Sequence, residues 1–252
     1  MQVNQRTIFF SPSTAKILLQ QGPRAARDSH SVLGTPAKLW TPSLHMGKLI
    51  DRLTFGVGPE IVEINADRWS PKVKAQREDI EKRYAIGALP REIEQAGYVA
   101  SKVLDYLRGN CLEIVTAHAQ RKITFKADGV DCKCILDYAT PGSGLVIDLK
   151  SCSRLSRERA LESAWNYRYD IQAAAYREAA DNTPELYIGE PSEVVLLFVD
   201  SKTGECLELY CNENAMAVGN HEWKRARKIW RECLETGNWP ETIEGANLDY
   251  VN

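Results

Sequence analysis

Cys132-Lys-Cys-Ile-Leu-Asp137-Tyr-Ala-Thr-Pro-Gly-Ser-Gly-Leu-Val-Ile-Asp148-Leu-Lys150 is the stretch that decides the reading of this chain. Pro141-Gly142-Ser143-Gly144 is a strong turn signal between two β-rich runs. With those residues as the loop, Thr140 faces Leu145, Tyr138 faces Ile147 and Leu136 faces Leu149. Leu145, Ile147 and Leu149 then share one apolar face by the two-residue period of a strand. The same register sets Asp137 directly opposite Asp148 on the other face, with Lys150 two residues along. Opposed carboxylates, with Cβ atoms about 5 Å apart, repel each other. A divalent cation is the natural compensation, because hard cations take carboxylate oxygens. Lys150 offsets only part of that charge. Beside a metal it can orient a nucleophilic water or stabilise charge developing at phosphorus. An Asp-x-Lys triplet alone is a common surface salt bridge. The upstream Asp on the paired strand gives the pattern its weight.

Around this hairpin the texture changes along the chain. Ser11-Pro12, Thr41-Pro42 and Ser70-Pro71 each place a capping hydroxyl before a proline suited to the first helical turn. They predict helices over about 12–21, 42–55 and 71–84. A further helix is expected over 91–108, stopped by Gly109-Asn110. Residues 22–40 read as irregular. The runs 111–119, 122–127, 130–139 and 145–150 read as short strands. A long helix over about 156–181, strands at 193–200 and 205–211, and a helix over 214–236 complete the pattern. The order predicts an α/β (α+β) fold, with a central mixed sheet flanked by helices and a helical N-terminal part. One domain over 1–252 is expected: a mainly helical 1–110, a core with closing helix over 111–236, and a tail over 237–252.

Composition narrows the function classes. The 252 residues are 44% hydrophobic and 26% charged, close to globular averages. Lys plus Arg number 32 against 34 Asp plus Glu, a net charge of −2, which excludes a uniformly basic nucleic-acid coat. An enzyme basic only where a strand runs remains compatible. No apolar run approaches a membrane span and no secretory leader is evident, so a cytoplasmic location without membrane association is expected. Seven cysteines without framework spacing fit reduced thiols. Neither a structural zinc nor an iron–sulfur cluster is expected. Cys111, Cys152 and Cys233 read as small buried hydrophobes.

Asp137, an eleven-residue step and then Asp148-Leu149-Lys150 resemble the motif of the PD-(D/E)XK nucleases. The following helix carries Gln172-Ala-Ala-Ala-Tyr176, which resembles the Q-x-x-x-Y motif of their RecB-like branch. Gly47-Lys-Leu-Ile-Asp51, Ile61-Val-Glu-Ile-Asn-Ala-Asp67-Arg-Trp and Leu234-Glu-Thr-Gly-Asn-Trp239-Pro240 extend the resemblance toward RecE-type (exonuclease VIII) domains of phages and prophages. The resemblance implies a restriction-endonuclease-like core and an Mg2+-dependent exodeoxyribonuclease, with Mn2+ as substitute. Asp137, Asp148, the Leu149 carbonyl and Asp51 would hold metal, and Lys150 would position or activate the water. Gln172 and Tyr176 would support the lysine and the phosphate. It further implies 5′→3′ digestion of linear double-stranded DNA, a RecT-like single-strand annealing partner and a ring-like homo-oligomer. Relatives usually carry Gly-x-x-x-His where this chain has Gly47-x-x-x-Asp51, so Asp51 stands in the ligand's place. His45 would point about 120° away on a regular helix and reads as an ordinary helix histidine.

Two stretches bear on DNA. Trp165, Tyr169, Gln172 and Tyr176 form one stripe if the helix is continuous, which predicts a core role for Trp165 and leaves a buried Gln172 needing partners. Arg154 and Arg157, just past the Asp-x-Lys strand, and Tyr169 are candidate DNA contacts. The cations of the last helix, Lys224 to Arg231, read as a solvated face with Trp223 and Trp230 in the core. Two alternatives stay open: another RecB-like repair or CRISPR-adaptation nuclease, and a nuclease-inactive DNA-binding protein that keeps the fold.

Overall fold

The hydroxyl–proline starts are built as capped helices. The side chains of Ser11, Thr41 and Ser70 accept the backbone N–H of Thr14, Leu44 and Val73. Each satisfies a donor that the first turn leaves without a partner. In this computed structural model, which describes residues 7–36, 40–110 and 112–243, they open α1 (Pro12–Gln21), α3 (Pro42–Phe55) and α4 (Pro71–Lys82). The supposedly irregular 22–40 contains a short helix, α2 (Pro23–Asp28). Pro23 begins it, so the Gly22-Pro23 pair is a second helix start as well as a stop. Helix α5 (Pro90–Gly109) follows. Two short strands absent from the sequence reading, β1 (Ile61–Glu63) and β2 (Ile86–Ala88), pair in parallel on either side of α4. At three residues each they are too short to show a period.

The main sheet has the order β3 (Ala119–Ala127), β4 (Val130–Ala139), β5 (Leu145–Cys152), β6 (Glu193–Asp200) and β7 (Cys206–Tyr210). Only β5 and β6 pair in parallel, so the sheet is mixed as expected. The crossover between them is helical but not one helix. Helix α6 (Arg157–Asn166) ends, and Arg168 in the left-handed region (φ 50°) precedes α7 (Tyr169–Asp181). The expected strand at 111–119 is corrected: residues 112–115 are irregular and Thr116–His118 form a 3-10 turn. Helix α8 (Glu213–Thr236) closes the chain, and Gly237 caps it in the left-handed region.

Helices cover both faces of the sheet. On one face α1, α7 and α8 bury Phe10, Leu18, Cys134, Leu136, Val146, Trp223 and Trp230. On the other, α3 and α5 bury Leu49, Phe55, Val103, Tyr138, Ile147, Leu149 and Leu197. Trp223 and Trp230 are core residues, as expected of the last helix, but Arg227 is not on its solvated face: it is buried and pairs with Asp128 and Glu178. Beyond α8, Trp239 packs edge-on against Trp230, and the Arg24 N–H donates to the Pro240 carbonyl. The part of the tail up to residue 243 is therefore docked; residues 244–252 lie outside the described ones, as does Cys111. Cys233 is buried and Cys152 half-buried. No helix among the described residues is long and apolar enough to cross a membrane.

Candidate active site

The β4–β5 hairpin has the register expected near its turn, with Tyr138 opposite Ile147 and Ala139 opposite Val146. The ladder stops there. The Leu149 N–H donates instead to Oδ2 of Asp137 at 3.0 Å. On the other side of β4, pairing with β3 skips Asp137 and Gln120. Gln120 adopts φ 47°, and its Nε2 donates to Asp137 Oδ1 at 3.3 Å. Asp137 is thus a carboxylate inserted where backbone pairing has opened. Strand β4 changes face at this point: Leu136 packs on the α7 side, Tyr138 on the α3 side. The expected Leu136–Leu149 pair on one apolar face is therefore corrected. Simple alternation cannot anticipate a strand that turns over at a polar residue.

Asp148, on the central strand, is only 1% exposed. Its Oδ1 accepts from Gln172 Nε2 at 3.1 Å. The Gln172 Nε2 also donates to the Tyr176 hydroxyl at 2.9 Å, and its Oε1 accepts from Lys16 Nζ at 3.1 Å. Gln172 is buried with its amide fully engaged, which answers why a stripe of core residues should carry it. Lys150 Nζ lies 2.5 Å from Asp148 Oδ2. The ammonium is that oxygen's partner. Lys150 and Lys16 both face the Tyr169 ring, at 4.6 and 5.3 Å from its centroid. Lys16 is the residue the sequence reading missed. Nothing near it forms a motif, and only the packing of α1 against α7 delivers it.

Asp51 comes from α3. A Cβ on Gly47 would stand 2.8 Å from Ser151 Oγ, so the absence of a side chain there lets α3 approach β5. Asp51, Gly47, Leu149, Lys150 and Tyr169 line one groove of about 400 Å3, with Lys48 and Tyr167. His45 is buried on the same helix but turned toward α5, with Nε2 3.6 Å from Glu92. Arg154 and Arg157 are exposed and do not line the groove. Trp165 is 69% exposed, which corrects its expected core role. The break at Arg168 rotates α6 out of phase with α7, so Trp165 drops out of the stripe that Tyr169, Gln172 and Tyr176 form.

The electrostatics follow from three carboxylates in little water. Burial first, then Asp148 and Asp51, holds Asp137 well above the usual carboxylate range. Burial, then Asp148, raises Asp51 to about 7, against the pull of Lys150. Burial alone would lower Lys150, but Asp148 and Asp137 together outweigh it and hold the ammonium above its ordinary value. Burial and the neighbouring Lys150 push Lys16 down to about 8. The Tyr176 hydroxyl is raised by burial and by Asp148 and Asp137.

The chemistry of this donor set suits a hard divalent cation: all-oxygen ligands, with two carboxyls that burial and neighbouring carboxylates keep from ionising alone. Among the described residues, however, no group of three His, Cys, Asp or Glu side chains is arranged closely enough to hold a metal ion.

A model of the family described as PDDEXK-like domain of unknown function (DUF3799) matches residues 62–250. No curated protein matches the chain. Among solved structures, a candidate exonuclease from Eubacterium rectale is similar at a TM-score of 0.63 and 15% identity, over 95% of this chain and 86% of that one. A phage-related exonuclease from Haemophilus somnus matches at a TM-score of 0.40 and 12% identity, over 93% of this chain and 99% of that one.

Proposed function

This chain belongs to the PDDEXK-like family of unknown function (DUF3799), within the PD-(D/E)XK nuclease superfamily, and on that premise we propose that it is a metal-dependent exodeoxyribonuclease acting on linear double-stranded DNA. The observation that carries this reading is the opened β4–β5 ladder, with Asp137 in the gap beside Asp148 and Lys150. A surface salt bridge would need neither the gap nor the burial. Residues 1–252 are read as one nuclease domain.

Asp137, Asp148, Asp51 and the Leu149 carbonyl are the proposed metal ligands, Mg2+ being the expected ion and Mn2+ its substitute. The bound cation would offset the carboxylate charge and polarise the scissile phosphate and its attacking water. Lys150 stays protonated in this environment. Its proposed role is to position or activate the water, or to hold a phosphate oxygen. Gln172 fixes the direction of the Asp148 carboxylate, and Tyr176 and Lys16 fix Gln172. Tyr169 and Lys48 face the strand in the groove. Arg154 and Arg157 would meet phosphates only beyond that groove.

The RecE-like resemblance supports the finer reading: 5′→3′ digestion in the cytoplasm, leaving a 3′ overhang for a RecT-like annealing protein, by a ring-like homo-oligomer. Linear and circular duplexes of one sequence, labelled at the 5′ or the 3′ end, test it. Release of 5′-terminal nucleotides from linear DNA alone is the expected result. Cutting of the circle would replace the exonuclease reading with an endonuclease, and early loss of the 3′ label would reverse the polarity.

A further inference from the structure

We propose that Trp40 and Trp69 form a second, non-catalytic subsite that stacks on a nucleobase of an unpaired strand beside the active-site groove. The inference rests on the reading above. The two indoles stack on each other, with centroids 5.0 Å apart and 19° between planes. They remain 37% and 41% exposed, although apolar surface of this kind is normally buried. The Arg77 guanidinium lies 5.3 and 4.8 Å from their centroids. Arg77 is only 2% exposed. Its Nη2 donates to Glu92 at 2.6 Å, while its Nε and Nη1 have no acceptor among the described residues. These groups border a cavity of about 330 Å3 with Lys74, Glu78 and Glu81. At ~30 Å3 per water, the cavity has room for something much larger than a few waters.

The chemistry of the rim selects the occupant. Two cations and two carboxylates cancel, so the cavity is not a track for phosphates. A flat, neutral ring with both donors and acceptors on its edge matches indole faces, unsatisfied guanidinium N–H groups and carboxylate oxygens together. A nucleobase has those properties, and its edge is free only when unpaired. Position points the same way. Trp40 immediately precedes Thr41, which caps α3 and lines the catalytic groove. From Thr41 to Asp51 is ten residues of helix, about 15 Å at 1.5 Å per residue. That is about four to five nucleotides along one strand at 3.4 Å each.

Fluorescence anisotropy in EDTA, where no cleavage occurs, tests the subsite with labelled blunt duplex and the same duplex carrying a six-nucleotide single-stranded tail. The expected result is tighter binding of the tailed duplex. Trp40→Ala with Trp69→Ala should weaken that binding by about five- to a hundredfold, the range for losing one stacked base. Blunt duplex should be little affected. A tail with one abasic nucleotide, scanned along its length, should reproduce the loss at one position in the wild type and have no further effect in the double variant. The Trp69→Phe variant should keep most of the preference. Equal affinity for both duplexes, or a tail preference that survives both the double variant and every abasic position, would overturn the subsite. Because the readout is binding alone, a failed nuclease assay would remove the catalytic reading and leave this result to stand or fall separately.

Discussion

Asp137, Asp148 and Asp51 carry one charge problem among them, and Lys150 solves only part of it. Without metal, Asp137 and Asp51 are held above their ordinary range by burial and by each other's neighbours. A carboxyl raised in the folded state binds more protons there than when unfolded. Its stabilising contribution is present at low pH and is lost as pH rises through the folded value. For Asp51 the window runs from about pH 4 to about 7. The metal-free protein should therefore melt lower at pH 8 than at pH 5.5 through this cluster, and Mg2+ should raise the melting temperature at pH 8 more than at pH 5.5. Thermal scans at both pH values, with and without Mg2+, check this; a metal effect that is larger at pH 5.5 contradicts it. Asp137→Ala should raise the metal-free melting temperature at pH 8 and abolish cleavage. Lys150→Ala should slow single-turnover cleavage by orders of magnitude while calorimetric metal affinity changes little. Normal cleavage by that variant would reduce Lys150 to a charge balance. Lys16 acts through Gln172, so Lys16→Met and Gln172→Ala should be strongly non-additive in a double-mutant cycle of single-turnover rate. Additive losses would detach Lys16 from the site.

At the scale of elements, α3 is positioned by what it lacks. Gly47 lets the helix close on Ser151 of β5, which carries Asp51 toward the groove and turns His45 toward Glu92 instead. Asp51→Ala should weaken Mg2+ affinity and activity together, whereas His45→Ala should leave Mg2+ affinity unchanged. Parallel metal titrations of the two variants decide it, and loss of affinity in His45→Ala alone would reverse the assignment. Which elements were legible follows from how local their signals are. Hydroxyl–proline caps and the Pro-Gly-Ser-Gly turn act within four residues, so α1, α3, α4 and the two hairpin pairs next to the turn could be read directly. The break between α6 and α7 could not, because it depends on Arg168 in a left-handed conformation with no glycine to announce it. That single residue separates Trp165 from the stripe of Tyr169, Gln172 and Tyr176. The opening of β4 at Asp137 was equally hidden: the sequence placed the two carboxylates opposite each other but carried no sign that the backbone parts between them. Lys16 and the Trp40–Trp69 pair are products of long-range packing and leave no pattern along the chain.

At the scale of the whole molecule, the sheet separates two cores and the site lies where they meet. Leu136 and Val146 belong to the α7–α8 side, Tyr138, Ile147 and Leu149 to the α3–α5 side, and the acidic gap opens between them. The molecule is nearly neutral overall, yet Lys48 and Lys150 line the groove, and Lys16 faces the ring of Tyr169, which lines it too. On the proposed function, DNA binding should weaken steeply with salt. The most direct test of the central claim is the single-turnover rate of linear-duplex digestion as Mg2+ is titrated into metal-free enzyme, for wild type and Asp148→Asn side by side. The account predicts a rate that rises from zero to saturation in the wild type and stays at background in the variant at every Mg2+ concentration. Digestion by the metal-free wild type, or wild-type saturation by Asp148→Asn, would contradict it.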